Sequence, residues 1–194
     1  MVKGSSVRKA HHPVDPLFVD RWSPRAMSGE AVSEQELFTL FEAARWAPSS
    51  MNYQPWRILY ARRDTANWPL FFNLLFDGNK LWGQKAGAIA LFISRTIMDD
   101  GRPCSTHSYD TGAAWQNLAL QASLLGLAVH GIAGFDHKRT REELKIPAEY
   151  AIDAMAVIGR PGLKADLPEN FQARESPNDR RPLSATVCEG VFSL

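Results

Sequence analysis

The sequence predicts a one-domain fold in which a β-sheet is interleaved with helices, and three observations carry that expectation. The chain has 194 residues, within the roughly 100–200 residues of a usual single core. Its apolar residues switch repeatedly between strand spacing and helical spacing. No internal repeat or low-complexity tract interrupts the pattern.

The elements follow in order. Ser33-Glu34-Gln35-Glu36 fits a capping box, and Leu37, Leu40, Phe41 and Ala44 continue at helical spacing until Pro48. After the loop from Pro48 to Pro55, Trp56 to Tyr60 alternates as a strand. Pro69 to Leu75 is compatible with a short helix holding proline in its first turn. Ala88 to Ile93 is almost wholly apolar, which predicts a central strand covered on both faces. Tyr109 to Leu125 is Ala- and Leu-rich, free of proline and followed by Gly126, the pattern of a long helix with a C′ glycine. Its small residues Gly112, Ala119 and Ala122 would let another backbone approach closely. Leu127 to His130 and Ala154 to Ile158 read as strands, separated by a polar helix from Lys138 to Leu144 that Asp136 could cap. From Lys164 to Asp179 the polar, proline-containing composition predicts an extended surface segment.

Composition excludes several classes. Lys+Arg 22 against Asp+Glu 21 leaves a formal charge of +1, without the basic surplus of a nucleic-acid module. The longest apolar run, Ala86 to Ser94, falls far short of the roughly 20 residues that span a bilayer. The first residues carry charge but no apolar core, so no secretory signal is expected and the cytoplasm is the simplest location. Residues 1–17 are expected to be a mobile N-terminal segment. Cys104 and Cys188 form no CxxC pair, and only His11 and His12 are neighbouring histidines, so neither a disulfide framework nor a metal site is expected.

Phosphate-loop, dinucleotide, nucleophile-elbow and HExxH signatures are absent. Three clusters remain. Arg21-Trp22-Ser23-Pro24-Arg25 places two guanidinium groups around a hydroxyl, a set that suits a phosphate or planar anion, although two arginines near a chain start are more often a solvated surface. Ala47-Pro48-Ser49-Ser50-Met51-Asn52-Tyr53-Gln54-Pro55-Trp56 is by composition a stiff turn rich in donors and acceptors. Gly131-Ile132-Ala133-Gly134-Phe135-Asp136 is either a strand-to-helix turn or a place where a flat ligand meets backbone N–H groups.

Taken in this order, the three clusters resemble the nitroreductase family of FMN-dependent oxidoreductases. Arg21 to Arg25 is similar to the family's Arg-x-Ser-x-Arg/Lys motif, and Ala47 to Trp56 to its Ala-Pro-Ser-Ser-x-Asn-x-Gln-Pro-Trp loop. Asn79 and Trp82, Asp110-Thr-Gly-Ala-Ala, Gly134-Phe135-Asp136, Ile158 to Pro161 and Arg180-Arg181-Pro182-Leu183 resemble further elements, over residues 18 to 188. The resemblance implies an α+β fold, an α/β/α sandwich with a mixed central sheet flanked by helices, built as an intertwined homodimer that holds FMN at its interface. By resemblance Arg21, Ser23 and one or both of Arg180 and Arg181 hold the FMN phosphate, and Arg25 faces the pyrimidine edge with Asn79. Pro48, Ser49, Ser50 and Asn52 come from the partner subunit, and the N–H groups of Ala133 and Gly134 point at the flavin. Trp22, Gln54, Trp82, Gly131 and Ile132 belong to the same implied site, with Trp82 expected above all to pack against the sheet.

The implied activity is ping-pong transfer of hydride from NADH or NADPH, through FMN, to a nitroaromatic, quinone or related electrophile. Arg25, Ala133 and Gly134 would tune the flavin, and no side chain need act as a nucleophile. Tyr53, His107 and His130 are candidate proton donors only as polar groups in matched segments. Other reactions of the same motifs, including dehalogenation and enone reduction, stay open. So do a non-catalytic FMN-storing or sensing protein and a scaffold that has lost its ligand.

Overall fold

The computed structural model describes residues 2–193, and its frame is a four-stranded sheet in the order β1-β2-β4-β3. The strands are β1 (Trp56–Arg62), β2 (Ala88–Arg95), β3 (Ala128–Ile132) and β4 (Tyr150–Gly159). All three pairings are antiparallel, so the sheet within one chain is antiparallel where the resemblance implied a mixed one. The chain reaches each neighbouring strand through a helical crossover or a long loop, which is why short hairpin signals are missing from the sequence.

Strand β2 is buried along seven of its eight positions, as its unbroken apolar run predicts. Alternation sends Ile89, Leu91 and Ile93 into one core and Ala88, Ala90 and Phe92 into the other. Helices α1 (Pro16–Asp20), α2 (Glu34–Arg45), α3 (Trp68–Phe72), α4 (Asp77–Gly83), α5 (His107–Leu124), α6 (His137–Glu143) and α7 (Glu169–Gln172) complete the architecture. On one face α2 and α5 cover the sheet with Leu37, Leu40, Ala44, Ala114, Leu118 and Ala122. On the other, Phe71, Leu74, Leu75 and Trp82 from the region of α3 and α4 pack with Met155 and Val157. The result is the expected α/β/α sandwich.

Local sequence sets the helix ends. Ser33 Oγ accepts from Glu36 N at 3.2 Å and the Glu36 carboxylate accepts from Ser33 N at 2.9 Å, the reciprocal capping box. Helix α2 stops at Arg45, ahead of Pro48. Gly126, with φ +70, ends α5 in the left-handed region that a side chain disfavours. Asp136 accepts from Arg139 N and starts α6. The small-residue side of α5 is used partly within the chain. Ala122 packs into the core that α2 shares, and Asn117 Nδ2 donates to Ala43 O at 3.1 Å.

Two expectations are corrected. Lys164 to Asp179 is not a plain extended surface segment, because it holds a 3-10 turn at Lys164–Asp166 and α7, and it buries Leu167 and Glu175. Strand β3 runs on through Gly131 and Ile132, where composition placed a turn, because Ile132 has a core position to fill. Composition sees the polarity of one segment and the small residues of the other, but not the partners that bury them.

Candidate functional site: an arginine cavity and a strained loop

Arg21, Ser23 and Arg25 follow the short helix α1 and face a cavity of about 380 Å³. Arg8, Arg174 and Arg180 reach the same space from the two ends of the chain, with His130 from β3. The five guanidinium groups have no carboxylate within ion-pair distance among the described residues. Burial pushes the Arg21 guanidinium below its usual range, and the charges of Arg8 and Arg180 add to that. Arg25 is lowered by burial and then by Arg174, against an opposing pull from Glu175. Cations that destabilise one another in a recess are stabilised by a bound anion.

The backbone under these arginines is pinned. Glu175 Oε1 accepts from the N–H groups of Arg25 and Ala26, both at 2.8 Å, and the glutamate is buried. Ser28 N donates to Arg160 O and Gly162 N to Ala26 O, each at 2.9 Å, which ties the segment to the end of β4. The N-terminal stretch also touches the motif. Arg8 Nη1 donates to Arg21 O at 2.7 Å, and Trp22 Nε1 donates to Val2 O at 2.7 Å. Arg21 Nη1 donates to Ser23 Oγ at 3.3 Å, so guanidinium and hydroxyl face one pole together.

Behind the cavity, His130 lies 4.7 Å from the Trp82 ring, and Arg25 Cζ sits 5.8 Å from the centroid of that same ring. His130 Nδ1 is 3.3 Å from Pro24 O. Burial, reinforced by the charge of Arg25, pushes the His130 imidazole down to about 4. A neutral imidazole is the form present at neutral pH, so His130 is a poor proton donor there. Asn79 on α4 donates to Gly134 O at 2.8 Å, and a Cβ added at Gly134 would meet that amide at 2.7 Å. Among the described residues, the N–H groups of Ala133 and Gly134 find no backbone acceptor.

The loop from Pro48 to Gln54 is elsewhere. Met51, Asn52 and Gln54 have φ of 53, 55 and 53, three side-chain-bearing residues in the left-handed region within four positions. Each such residue costs about 1–2 kcal/mol, less for asparagine. Ser49 Oγ accepts from Gln54 N at 3.0 Å, and Ser50 N donates to the buried Asp110 Oδ2 at 3.2 Å. Strain of this kind collects at functional sites, where surrounding contacts hold it.

Comparison with known proteins places this geometry. The family model described as the nitroreductase family matches residues 19–80, which hold both the arginine motif and the strained loop. A solved oxidoreductase containing FMN is 45% identical, with a TM-score of 0.92, covering 96% of this chain and 96% of its own. The chain belongs to the nitroreductase family. A candidate nitroreductase from Desulfovibrio desulfuricans, solved in complex with FMN, is 25% identical with a TM-score of 0.73, covering 95% of this chain and 100% of that one. Protein DrgA of Synechocystis is 28% identical over 184 residues, covering 81% of this chain and 86% of that protein.

In this nitroreductase-family chain the motif residues divide between locations. Arg21, Trp22, Ser23, Arg25 and Arg180 share the cavity, and Trp82 backs it through Arg25 and His130. Asn79 joins Gly134, next to Ala133. Arg181 does not line the arginine cavity but faces a different recess with His11 and Phe18. Pro48, Ser49, Ser50, Asn52 and Gln54 do not line it either, and Gly131 opens toward Trp115 on the opposite face of the sheet. The Ile132 side chain is core. Sequence reasoning missed Arg8, Arg174, Ser176, Asn178 and the anchoring Glu175. For all but Arg8, the one signal is a cluster of charged and amide residues just before Arg180, in a stretch that looks like ordinary surface.

Proposed function

We propose that this chain is an FMN-dependent NAD(P)H oxidoreductase that passes reducing equivalents, by a ping-pong sequence, to a nitroaromatic, quinone or related small electrophile. It works as a single domain in a homodimer in the cytoplasm. The observation that carries the reading is the convergence on one cavity of a serine and five guanidinium groups that, among the described residues, have no carboxylate partner; Ala133 and Gly134, whose N–H groups have no backbone acceptor, follow His130 of that cavity closely in the chain. That set fits FMN, whose phosphate needs cations and whose ring needs donors at a polar edge. When bound, the flavin supplies reversible acceptance of a hydride.

The residues of the chain do the rest. Arg21, Ser23 and Arg180 hold the phosphate. Arg25, fixed by Glu175 and Trp82, sets a positive charge beside the pyrimidine edge and favours negative charge arriving there. Asn79 orients Gly134, so that the neighbouring N–H groups keep their direction. His130, neutral and buried, fills the wall behind Arg25 without adding charge. Pro48, Ser49, Ser50, Asn52 and Gln54 complete the site from the second subunit, which accounts for a strained, polar loop that does not line the arginine cavity of its own chain.

The visible absorption spectrum of the purified protein, before and after anaerobic NADH or NADPH, tests this reading. Flavin bands that bleach are the expected result. Bands that persist would favour a storage or sensing protein, and a protein colourless even after reconstitution with FMN contradicts the reading. Arg25→Ala is expected to slow reduction by NADH more than it weakens FMN binding. The reverse ordering would assign Arg25 to the phosphate alone. Gel filtration of the yellow protein at the mass of one chain would contradict the dimer.

A further inference from the structure

Arg21 and Ser23 reach the arginine cavity from one end of the chain and Arg180 from the other, and a third segment lies against both. Residues 2–8, which hold a 3-10 turn at Gly4–Ser6, run alongside the stretch from Val19 to Trp22. Trp22 Nε1 donates to Val2 O at 2.7 Å, Ser5 N donates to Asp20 Oδ1 at 3.2 Å, and Lys3 Nζ lies 3.5 Å from Asp20 Oδ2. Gly4 is buried at the closest point. A Cβ there would meet Val19 O at 2.0 Å and Arg8 Nη1 at 2.8 Å, so this approach requires glycine. None of residues 2–9 belongs to either hydrophobic core. The segment is held by polar contacts to the backbone and side chains around the cavity, so its docking is separable from the fold.

Arg8 joins this segment to both arms of the cavity. Its Nη1 donates to Val19 O at 2.9 Å and to Arg21 O at 2.7 Å, and its Nε donates to Asn178 O at 2.7 Å. Arg180 Nη1 donates to the same Asn178, 3.4 Å from its carbonyl oxygen and 3.3 Å from Oδ1. One guanidinium thus spans the backbone under Arg21 and the residue that orients Arg180. A fork with donors on several sides can do this, whereas an ammonium is a single point of charge. Arg8 spends Nε and Nη1 on the protein itself, so its geometry is that of a strut between the two arms. We propose that residues 2–8 form a strap that governs the retention of FMN, with Arg8 as a positioning residue that fixes Arg21 against Arg180. The inference rests on the reading of this cavity as the FMN phosphate site. Charge-assisted hydrogen bonds weaken when their donors drift out of line, so fixing the two arms slows release of a phosphate. The coupling is reciprocal: whatever factor the docked strap adds to FMN affinity, bound FMN adds to docking of the strap.

The test uses the full-length chain and two readouts: FMN release on dilution, followed by flavin fluorescence, and amide hydrogen exchange at Val7 and Arg8, whose N–H groups both donate to Gly4 O. Arg8→Met and Gly4→Ala are expected to speed release at least about tenfold, the worth of one charge-assisted hydrogen bond, and Arg8→Lys nearly as much. Lys9→Ala, which removes a neighbouring exposed charge, is expected to leave release unchanged. Thermal melts of the FMN-free variants should stay close to the wild type, because the strap lies outside both cores. In the wild type, FMN is expected to slow exchange at Val7 and Arg8, and Gly4→Ala to abolish that slowing. Full retention of FMN by Arg8→Lys would show that charge acts without the bridge, and overturns the proposal. So does exchange that FMN leaves unchanged, or a melt of the FMN-free variants that falls in step with their affinity. A wild-type protein that takes up no FMN overturns the cofactor reading and this inference with it. Wild-type uptake with unaltered release from Arg8→Met and Gly4→Ala overturns this inference alone.

Discussion

The arginine cavity and the strained loop are anchored by the same device and differ in what the anchor achieves. At the cavity, buried Glu175 accepts two backbone N–H groups at 2.8 Å and fixes a segment whose side chains converge on one space. At the loop, buried Asp110 accepts one N–H at 3.2 Å and the Thr106 hydroxyl at 2.9 Å, and fixes a segment whose Ser49 and Gln54 side chains bond within the loop itself and do not line the arginine cavity. The first region stores its tension as charge: cations crowded without counter-ions. The second stores it in the backbone, as three positive φ values. A ligand relieves the first kind directly. The second kind is useful only if the loop's shape is recognised from outside, which is how a site completed by a second subunit would look from one chain.

Removing charge from the cavity should give the largest effect. The double substitution Arg21→Ala with Arg180→Ala deletes two charge-assisted contacts to a phosphate, each about 1.5–3 kcal/mol, so FMN affinity should fall by at least about 100-fold. Flavin fluorescence titration measures this. A loss below tenfold would mean that the cavity is not the phosphate site. If the loop belongs to the same site across a dimer, Asn52→Ala should also weaken FMN, by a smaller factor. If it does not, the affinity will not move.

The next effect separates the two regions by pH. His130 carries a folded-state value of about 4 against 6.5 unfolded, so below pH 6.5 the unfolded chain binds a proton that the folded chain refuses. Stability is therefore full above 6.5 and falls as pH drops toward 4, by up to about 3 kcal/mol. Thermal melts of the FMN-free protein from pH 7 to pH 4.5 should show this fall, and His130→Asn should flatten it. Equal slopes in both proteins would show that Arg25 and burial do not act on His130 as the geometry implies. Glu175→Ala should cost about 2–3 kcal/mol at neutral pH, through two lost charged hydrogen bonds, and lower the melting temperature by roughly 5–10 °C.

How much of this was legible in the sequence depends on the range of each interaction. The capping box at Ser33, the two-sided strand at Ala88 and the C′ glycine of α5 are local patterns, and each stands where the sequence put it. The Arg21 motif and the Pro48 loop were legible as clusters because each is contiguous, though their separation in space was not. Glu175 was invisible for a physical reason. Its partners lie about 150 residues away and are backbone groups, which have no sequence identity to match. The choice between Arg180 and Arg181 has the same cause: both line the recess with His11 and Phe18, only Arg180 also lines the arginine cavity, and it is packing between distant segments that decides this.

The smallest expected effect bears most directly on the comparison. Met51 is 81% exposed and touches no core, yet holds φ 53. Met51→Gly removes the steric penalty of that conformation, about 1 kcal/mol, partly offset by the greater freedom of an unfolded glycine. The net should be a gain of a few tenths of a kcal/mol, read as a slight rise in denaturation midpoint. If the loop serves only its own chain, that gain is the whole consequence. If its shape is what a second subunit's flavin meets, the relaxed loop should weaken FMN while the chain itself becomes more stable. Stability and affinity moving in opposite directions at one exposed residue would separate a strained binding element from a merely strained turn, and both moving together would identify the turn.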